Sequence, residues 1–356
     1  MRLPLRLRLE PQLTERSRVD LGIRFALGIV AAFLIGGLVL VISGHDMGQA
    51  YSALFRGAFG SARAWASTCN KAVPIGLSAI GIALAARAGL WNIGAEGQLY
   101  MGAVAATGAG FLLSQDAPVA LALGAVLVAG FGAGALWAAV AAAARAYLAV
   151  NEIIGTLLLN YVAILWANYL VFGPWADPAT VSFPFSEPLP DPALMPKLPN
   201  GIHTGVFLLA AAALWLWIVD RGSRWGYELR VEGDSPMAAR YGGISERGSI
   251  LASLSVAGGL AGLSGAIEVS AVTSRLQEGL SPGYGFIAIL VAWIGATRAA
   301  PILVASIVYA GFLNGAFSLQ VSGVPAAIGT VLQSALLLCV LAGQALGAYK
   351  LRIVRS

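Results

Sequence analysis

The chain has 356 residues, 58% of them hydrophobic and 11% charged, with a net charge of +5 and a mean hydropathy of +0.79. A soluble domain carries about 25% charged residues, so this composition excludes a water-soluble enzyme or binding module and indicates an all-α, polytopic membrane protein. Cys69 and Cys339 both fall in apolar runs, which excludes a disulfide framework or a four-cysteine zinc site. His45 and His203 fall outside those runs, so an intramembrane serine or cysteine nucleophile would lack an imidazole base.

In chain order, residues 1–24 hold Arg2, Arg6, Arg8, Arg16, Arg18 and Arg24, too many and too dispersed for a cleavable signal, and residues 1–20 read as a retained cytoplasmic tail leading into the first span. A transmembrane domain is expected over 21–346, followed by a second cytoplasmic tail at 347–356. Within it, apolar runs near the ~20 residues that cross a bilayer lie at 21–43, 65–86, 95–113, 118–143, 152–172, 204–219, 249–271, 284–298, 300–318 and 324–346. Ten spans are expected. Those at 65, 95 and 284 are interrupted by polar residues or glycine, which makes one of them a candidate re-entrant segment. Ten spans place every Lys and Arg except Arg56, Arg63, Lys71, Lys197 and Arg275 on one side; positive residues near span ends stay cytoplasmic, so both termini are expected inside. The forty-four glycines suit helices packed closely through small residues.

The stretch ARAGLWNIGAEGQLYMGAVA at 86–105 is the most informative. It sets a polar, glycine-broken segment between two apolar runs, and such backbone persists in a membrane only where protein buries it or where it lines a cavity. Glu96 and Gln98 follow Gly94 at a helix start, where free N–H groups and the positive end of the dipole favour an acid. They read either as a cap or as part of a solute pathway, and Asn92 as a pathway residue or as a partner for the interrupted backbone. Asn70, Asn160 and Glu268 lie in apolar runs, with Lys71 beside the first; each bonds between helices, or together they line a hydrophilic route. A charge deep in lipid costs at least ~2.5–3.5 kcal/mol, so Glu96 is expected to face protein or water. Tyr284 and Phe286, next to Pro282 and Gly283, read as an outer gate or an interfacial anchor. Asn151-Glu152 reads as a helix start.

From Pro174 to His203 the chain has eight prolines, a density that prevents regular helix and marks an extracytoplasmic lid that divides the chain in two. The halves echo each other weakly. Gly89-Leu90 opens one break and Gly279-Leu280-Ser281-Pro282-Gly283 another, and Ile154-Gly155-Thr156-Leu157 recurs as Ile328-Gly329-Thr330-Val331. With the first break inside and the second outside, the units would be inverted repeats, a recurring transporter design.

Residues 220–248 form the one long charged loop within the chain. Ser235 followed by Pro236 is a helix start, and Gly242-Gly243 a stop, so a short surface helix through Met237, Ala238, Ala239, Arg240 and Tyr241 is expected. That loop is either solvated or a docking element, with Tyr241 and Arg240 as anchors. No GxxxxGK[ST] pattern occurs, so the phosphate-cradling loop of a nucleotide-binding subunit is not expected in this chain.

AARAGLWNIGAEGQLYMGA at 85–103, NEIIGTLLLNYVA at 151–163, GYELRVEGDSPMAARYGGIS at 226–245 and GLSPGYGF at 279–286 resemble bacterial ABC-importer permeases of the ribose and simple-sugar branch, and within it nucleoside permeases associated with basic membrane lipoproteins. The resemblance runs from about residue 65 to 345. It implies a channel-forming subunit that is not itself an enzyme and has no cofactor. Its partners would be a second permease, paralogous or identical, a cytoplasmic ATPase that binds ATP and Mg, and an extracytoplasmic binding protein or lipoprotein that delivers the solute. By the same resemblance Glu228, Arg230, Glu232, Ser235, Pro236, Arg240 and Tyr241 belong to the ATPase-facing surface. The expected function is import of nucleosides or related simple sugars across the inner membrane by alternating access. The alternative is an ion-coupled secondary transporter, which an inverted repeat alone would equally allow.

Overall fold

The computed structural model describes residues 5–11, 18–180, 183–295, 297–346 and 349–355. In chain order these form β1 (Leu5–Pro11), α1 (Arg18–Ile42), α2 (Met47–Phe59), α3 (Ala62–Arg87), α4 (Ala95–Phe111), α5 (Val119–Leu148), α6 (Glu152–Phe172), α7 (Gly205–Gly222), α8 (Arg224–Asp234), α9 (Pro236–Tyr241), α10 (Glu246–Ile267), α11 (Tyr284–Ile294), α12 (Ala299–Val321), α13 (Ala326–Leu346) and β2 (Tyr349–Arg355). All ten apolar runs are helical, and the protein is an all-α, multi-pass membrane protein. The expectation needs one addition. Both expected tails contribute a strand, and β1 pairs antiparallel with β2 from Leu5 opposite Arg355 to Pro11 opposite Tyr349.

Length separates the spans. Among the described residues six helices are long and apolar enough to cross a membrane, the longest being α5. The expected span at 284–298 is shorter than the sequence suggests: α11 has 11 residues, about 16 Å at 1.5 Å per residue, against a hydrocarbon core of about 30 Å. The 17 residues of α4 reach about 25 Å. α11 therefore covers about half of that core and α4 most of it, each preceded by irregular chain.

Two helices have no counterpart among the expected elements. Asp46 caps α2 by accepting the Gln49 N–H at 2.6 Å, and Ala50, Leu54 and Ala58 give it one buried face. α8 occupies the part of the charged loop ahead of the foreseen α9, capped by Ser223, whose hydroxyl accepts the Gly226 N–H at 2.9 Å.

The chain forms two compact units, Met1–Ala64 with Gly311–Ser356, and Trp65–Ala310. In the first, α1 packs on α13 without room for side chains at Gly28, where a Cβ would lie 2.8 Å from the Val340 Cα. Phe33 stacks on Phe55 and meets Tyr51 edge-on, and the Asn314 side-chain amide donates to the carbonyls of Gly57 and Ala64 at 2.9 and 3.3 Å. In the second, α4, α5 and α10 touch backbone to backbone. A Cβ on Gly102 would lie 2.1 Å from the Gly262 carbonyl oxygen, and one on Gly134 2.3 Å from that of Gly258. Small residues permit this approach, and dispersion between the helices holds it where lipid removes the hydrophobic drive.

Contacts in the second unit sort its segments onto two faces. Arg87 at the end of α3 forms an ion pair with Asp220 near the end of α7 and donates to the Thr297 carbonyl beyond α11, so these three helices end on one face. On the opposite face the proline-rich segment runs over the start of α3 and the end of α4. Asn70 bonds to Gly201 and His203, and Phe111 meets Trp175 edge-on. That segment also ties down the chain beyond α10 through Ser186 N–H to the Leu276 carbonyl and Leu189 N–H to the Ser274 carbonyl, both 2.9 Å.

Candidate functional site

Residues 88–94 leave the Arg87 face as irregular chain, turning at Gly89, whose φ of +72° suits glycine, and α4 begins only at Ala95. Interrupted backbone inside a membrane must be satisfied by protein, and here side chains supply what a helix would have. Asn160 on α6 does so twice: its oxygen accepts the Gly97 N–H at 2.7 Å and its amide donates to the Ile93 carbonyl at 2.8 Å. The Thr156 hydroxyl, one turn earlier, accepts the Ile93 N–H at 3.2 Å. The Asn92 oxygen accepts the Gly94 N–H at 3.0 Å, and its amide pairs with that of Gln98 through two bonds of 2.9 and 3.0 Å. Asn92, Gln98 and Asn160 are all buried.

From the opposite face the chain after Ser274 descends through residues 275–283 into α11. Ser281 caps that helix, its hydroxyl accepting the N–H groups of Gly283 and Tyr284 at 3.1 and 2.9 Å. The Ser281 N–H in turn donates to the Tyr100 hydroxyl at 3.4 Å. The next donor of α11, the Gly285 N–H, is taken by Glu96 Oε2 at 2.6 Å. Glu96 is the second residue of α4 and Gly285 the second of α11. Two broken helices fed from opposite faces thus meet N-terminus to N-terminus, with the buried Glu96 side chain between them.

The remaining pathway candidates fall elsewhere in this unit. Asn70 spends both ends of its amide on the proline-rich segment, accepting from His203 N–H at 3.0 Å and donating to the Gly201 carbonyl at 3.1 Å. Glu268 is buried where α10 loosens into π-helical turns over Glu268–Thr273, and it is electrostatically coupled to Lys71. Such turns cluster at functional sites. Tyr284 is buried at the first position of α11. Phe286 is exposed, and Trp293 in the last turn of α11 stacks on Trp91 of the first break at 4.7 Å. Thr156, Ser281, Tyr100 and Gly285 were not singled out in the sequence. Ser281, two residues ahead of Gly-Tyr-Gly, carried a capping signal, whereas Gly285 carried none.

On the Arg87 face, α8 and α9 ride on the ends of the spans. Arg230 reaches the Asp220 carboxylate at 3.4 Å, the same group that pairs with Arg87, and a Cβ on Gly233 would lie 2.2 Å from the Arg87 carbonyl oxygen. Ser235 caps α9 by accepting the Ala238 N–H at 3.3 Å, with Pro236 at the first helical position. Arg240 pairs with Glu246 at 2.6 Å and Arg224 with Glu228 at 2.7 Å. Glu232 is buried, and one of its oxygens has no partner; burial and the nearby Glu246 push its carboxyl above the usual range. Tyr241 and Met237, by contrast, are 89% and 69% exposed.

Residues 64–341 match the family described as the branched-chain amino acid transport system permease component. The chain belongs to this permease family. It is 33% identical to a glucose ABC transporter permease protein of Haloferax volcanii, over 97% of this chain and 94% of the relative. It is 30% identical to a guanosine ABC transporter permease protein of Bacillus subtilis, over 90% of this chain and 93% of that one. With a nucleoside ABC transporter permease protein of Lactococcus lactis it shares 27% identity, over 87% and 88%. No solved structure matches. The family is one of transport components, and the sequence resemblance to the simple-sugar and nucleoside branch agrees with these relatives.

Proposed function

We propose that this chain is a permease subunit of an ATP-driven importer that moves nucleosides or related simple sugars across the inner membrane by alternating access. The observation that carries the reading is the meeting of α4 and α11 at Glu96 and Gly285. Two broken helices reached from opposite faces are what a solute route alternately open to each side requires. The permease relatives of sugar and nucleoside transporters support the same reading. In it the Arg87 face and both termini are cytoplasmic, and residues 1–20 and 347–356 flank a transmembrane permease domain. An ATPase subunit binds ATP and Mg and docks on α8 and α9. A second permease, paralogous or identical, completes the conduit, and an extracytoplasmic binding protein or lipoprotein supplies the solute.

The route for mechanical work is short. A push on the exposed Met237 and Tyr241 passes through α8 to Asp220 and Arg87 by way of Arg230, and Arg87 is the last residue before the first break. Asn92, Gln98 and Asn160 make the buried surroundings of the break polar, and passing hydrogen bonds suffice for a neutral, hydroxyl-rich solute.

Reconstitution of the chain with its operon's ATPase, second permease and binding protein tests the reading. Uptake of a nucleoside or pentose is expected to require ATP hydrolysis, and uptake driven by an ion gradient without ATP would return the secondary-transporter alternative. Pro236→Gly with Arg240→Glu removes the pre-set first turn of α9 and its pair with Glu246, and is expected to leave ATP hydrolysis running while uptake falls at least tenfold. Unchanged uptake would remove α9 from the coupling route.

A further inference from the structure

Two helix N-termini that face each other inside a membrane make an anion trap, because unpaired N–H groups and the positive ends of both dipoles converge on one spot. In this chain the spot is taken. Glu96 Oε2 accepts the Gly285 N–H at 2.6 Å, and the side chain is 2% exposed. The approach is too close for anything else to intervene: a Cβ on Gly285 would lie 2.2 Å from the Glu96 nitrogen and 2.5 Å from its Cα. The neighbouring donors of α11 end on Ser281, and that of Gly97 in α4 ends on Asn160.

We propose that Glu96 is a resident anion, a carboxylate built into the chain that fills the site between α4 and α11 and so makes the conduit selective for uncharged solutes. A phosphorylated or carboxylate-bearing solute passing beside the closed junction would feel a buried like charge where the helix ends would otherwise attract it, and like charges repel strongly in a low-dielectric interior. A neutral nucleoside or sugar meets only dipoles already satisfied. This rests on the transport reading above, and deepens it from a solute class to a charge rule with a named residue behind it.

Chemical rescue separates a resident anion from a mere hydrogen-bond acceptor. Glu96→Ala leaves a carboxylate-sized gap between the two termini, and Glu96→Gln keeps the shape and the acceptor but removes the charge. Both are read twice, as the melting temperature of the purified full-length chain and as ATP-driven uptake by the reconstituted complex. Glu96→Ala is expected to melt earlier and to lose at least tenfold in uptake; sodium formate restores both in a concentration-dependent manner, and neutral formamide restores neither. Inorganic phosphate, inert toward the native complex, inhibits the Ala variant. Glu96→Gln is expected to lose uptake and, having no gap, to ignore formate. Equal rescue by formamide, or a Gln variant with native melting and uptake, would overturn the proposal. Failure of the native complex to take up any nucleoside or sugar would sink the transport reading instead, while the melting data would still decide the role of Glu96.

Discussion

The two broken helices start from one meeting point and run toward opposite faces, yet they are braced differently. The break before α4 is stitched by four side chains, Asn92, Gln98, Thr156 and Asn160, and two of these come from the neighbouring α6. The break before α11 has Ser281 as its internal cap, and beyond that leans on Tyr100 and Glu96 of α4 and on the proline-rich segment. α4 also has 17 residues against 11 in α11, and its backbone is pressed against α10 at Gly102. One helix is thus an anchor, and the other is held mainly by what it touches, so the larger displacement during a transport cycle is expected of α11.

Substitutions along the two breaks test this asymmetry. The largest effect is expected from Gly285→Ala, whose new methyl would collide with the backbone of Glu96 rather than with a movable side chain. The variant should lose about 4 kcal/mol or more and fail to accumulate as folded protein in detergent, and a native melting curve would show that α4 and α11 do not meet this closely. Asn160→Ala leaves the Gly97 N–H and the Ile93 carbonyl without partners in a membrane interior. At roughly 1–3 kcal/mol for each stranded group, the melting temperature should fall clearly, with uptake lost in parallel. Ser281→Ala removes one cap, worth about 1 kcal/mol, and should cost uptake more than stability if α11 is the moving half. Equal losses from Ser281→Ala and Asn160→Ala would erase the proposed distinction.

The most local effect belongs to the proline-rich segment. His203 is buried, and burial, opposed by the Asn70 backbone and helped by Lys197 nearby, lowers its imidazole to about 4. Its unfolded value is near 6.5, so the folded state binds fewer protons. The stability it confers is complete above about pH 6.5 and is lost as pH falls from there toward 4. Proteolysis of the 174–203 segment should therefore accelerate across that window in the native chain, and His203→Leu should flatten the profile.

Legibility in the sequence followed locality. Asn151 and Ser235 announced helix starts because a cap and its N–H partner lie two or three residues apart, and both caps are formed. The apolar runs announced ten helices for the same reason. α2 and α8 were hidden because short amphipathic segments carry no long apolar run. Gly, Asn and Gly in sequence betrayed the first break, but not that Asn160, sixty-three residues from Gly97, would repair it, since a single amide in an apolar run fits many partners. The Glu96 to Gly285 contact spans 189 residues, and no periodicity encodes it. The π-helical turns at Glu268 left no mark, because they alter the winding of the backbone and not the order of residue types.

The glycine seam between α5 and α10 has a mechanical corollary. At Gly134 and Gly262 the two main chains interlock, a Cβ on either lying 2.3 Å from a carbonyl oxygen of the other helix, while Gly130 and Gly258 close on the methyl groups of Ala266 and Ala138. Rods meshed in this way can neither slide by a turn nor roll without unseating several contacts at once. They would ride through a transport stroke as one stiff strut, and conformational freedom would be left to the short elements beside them.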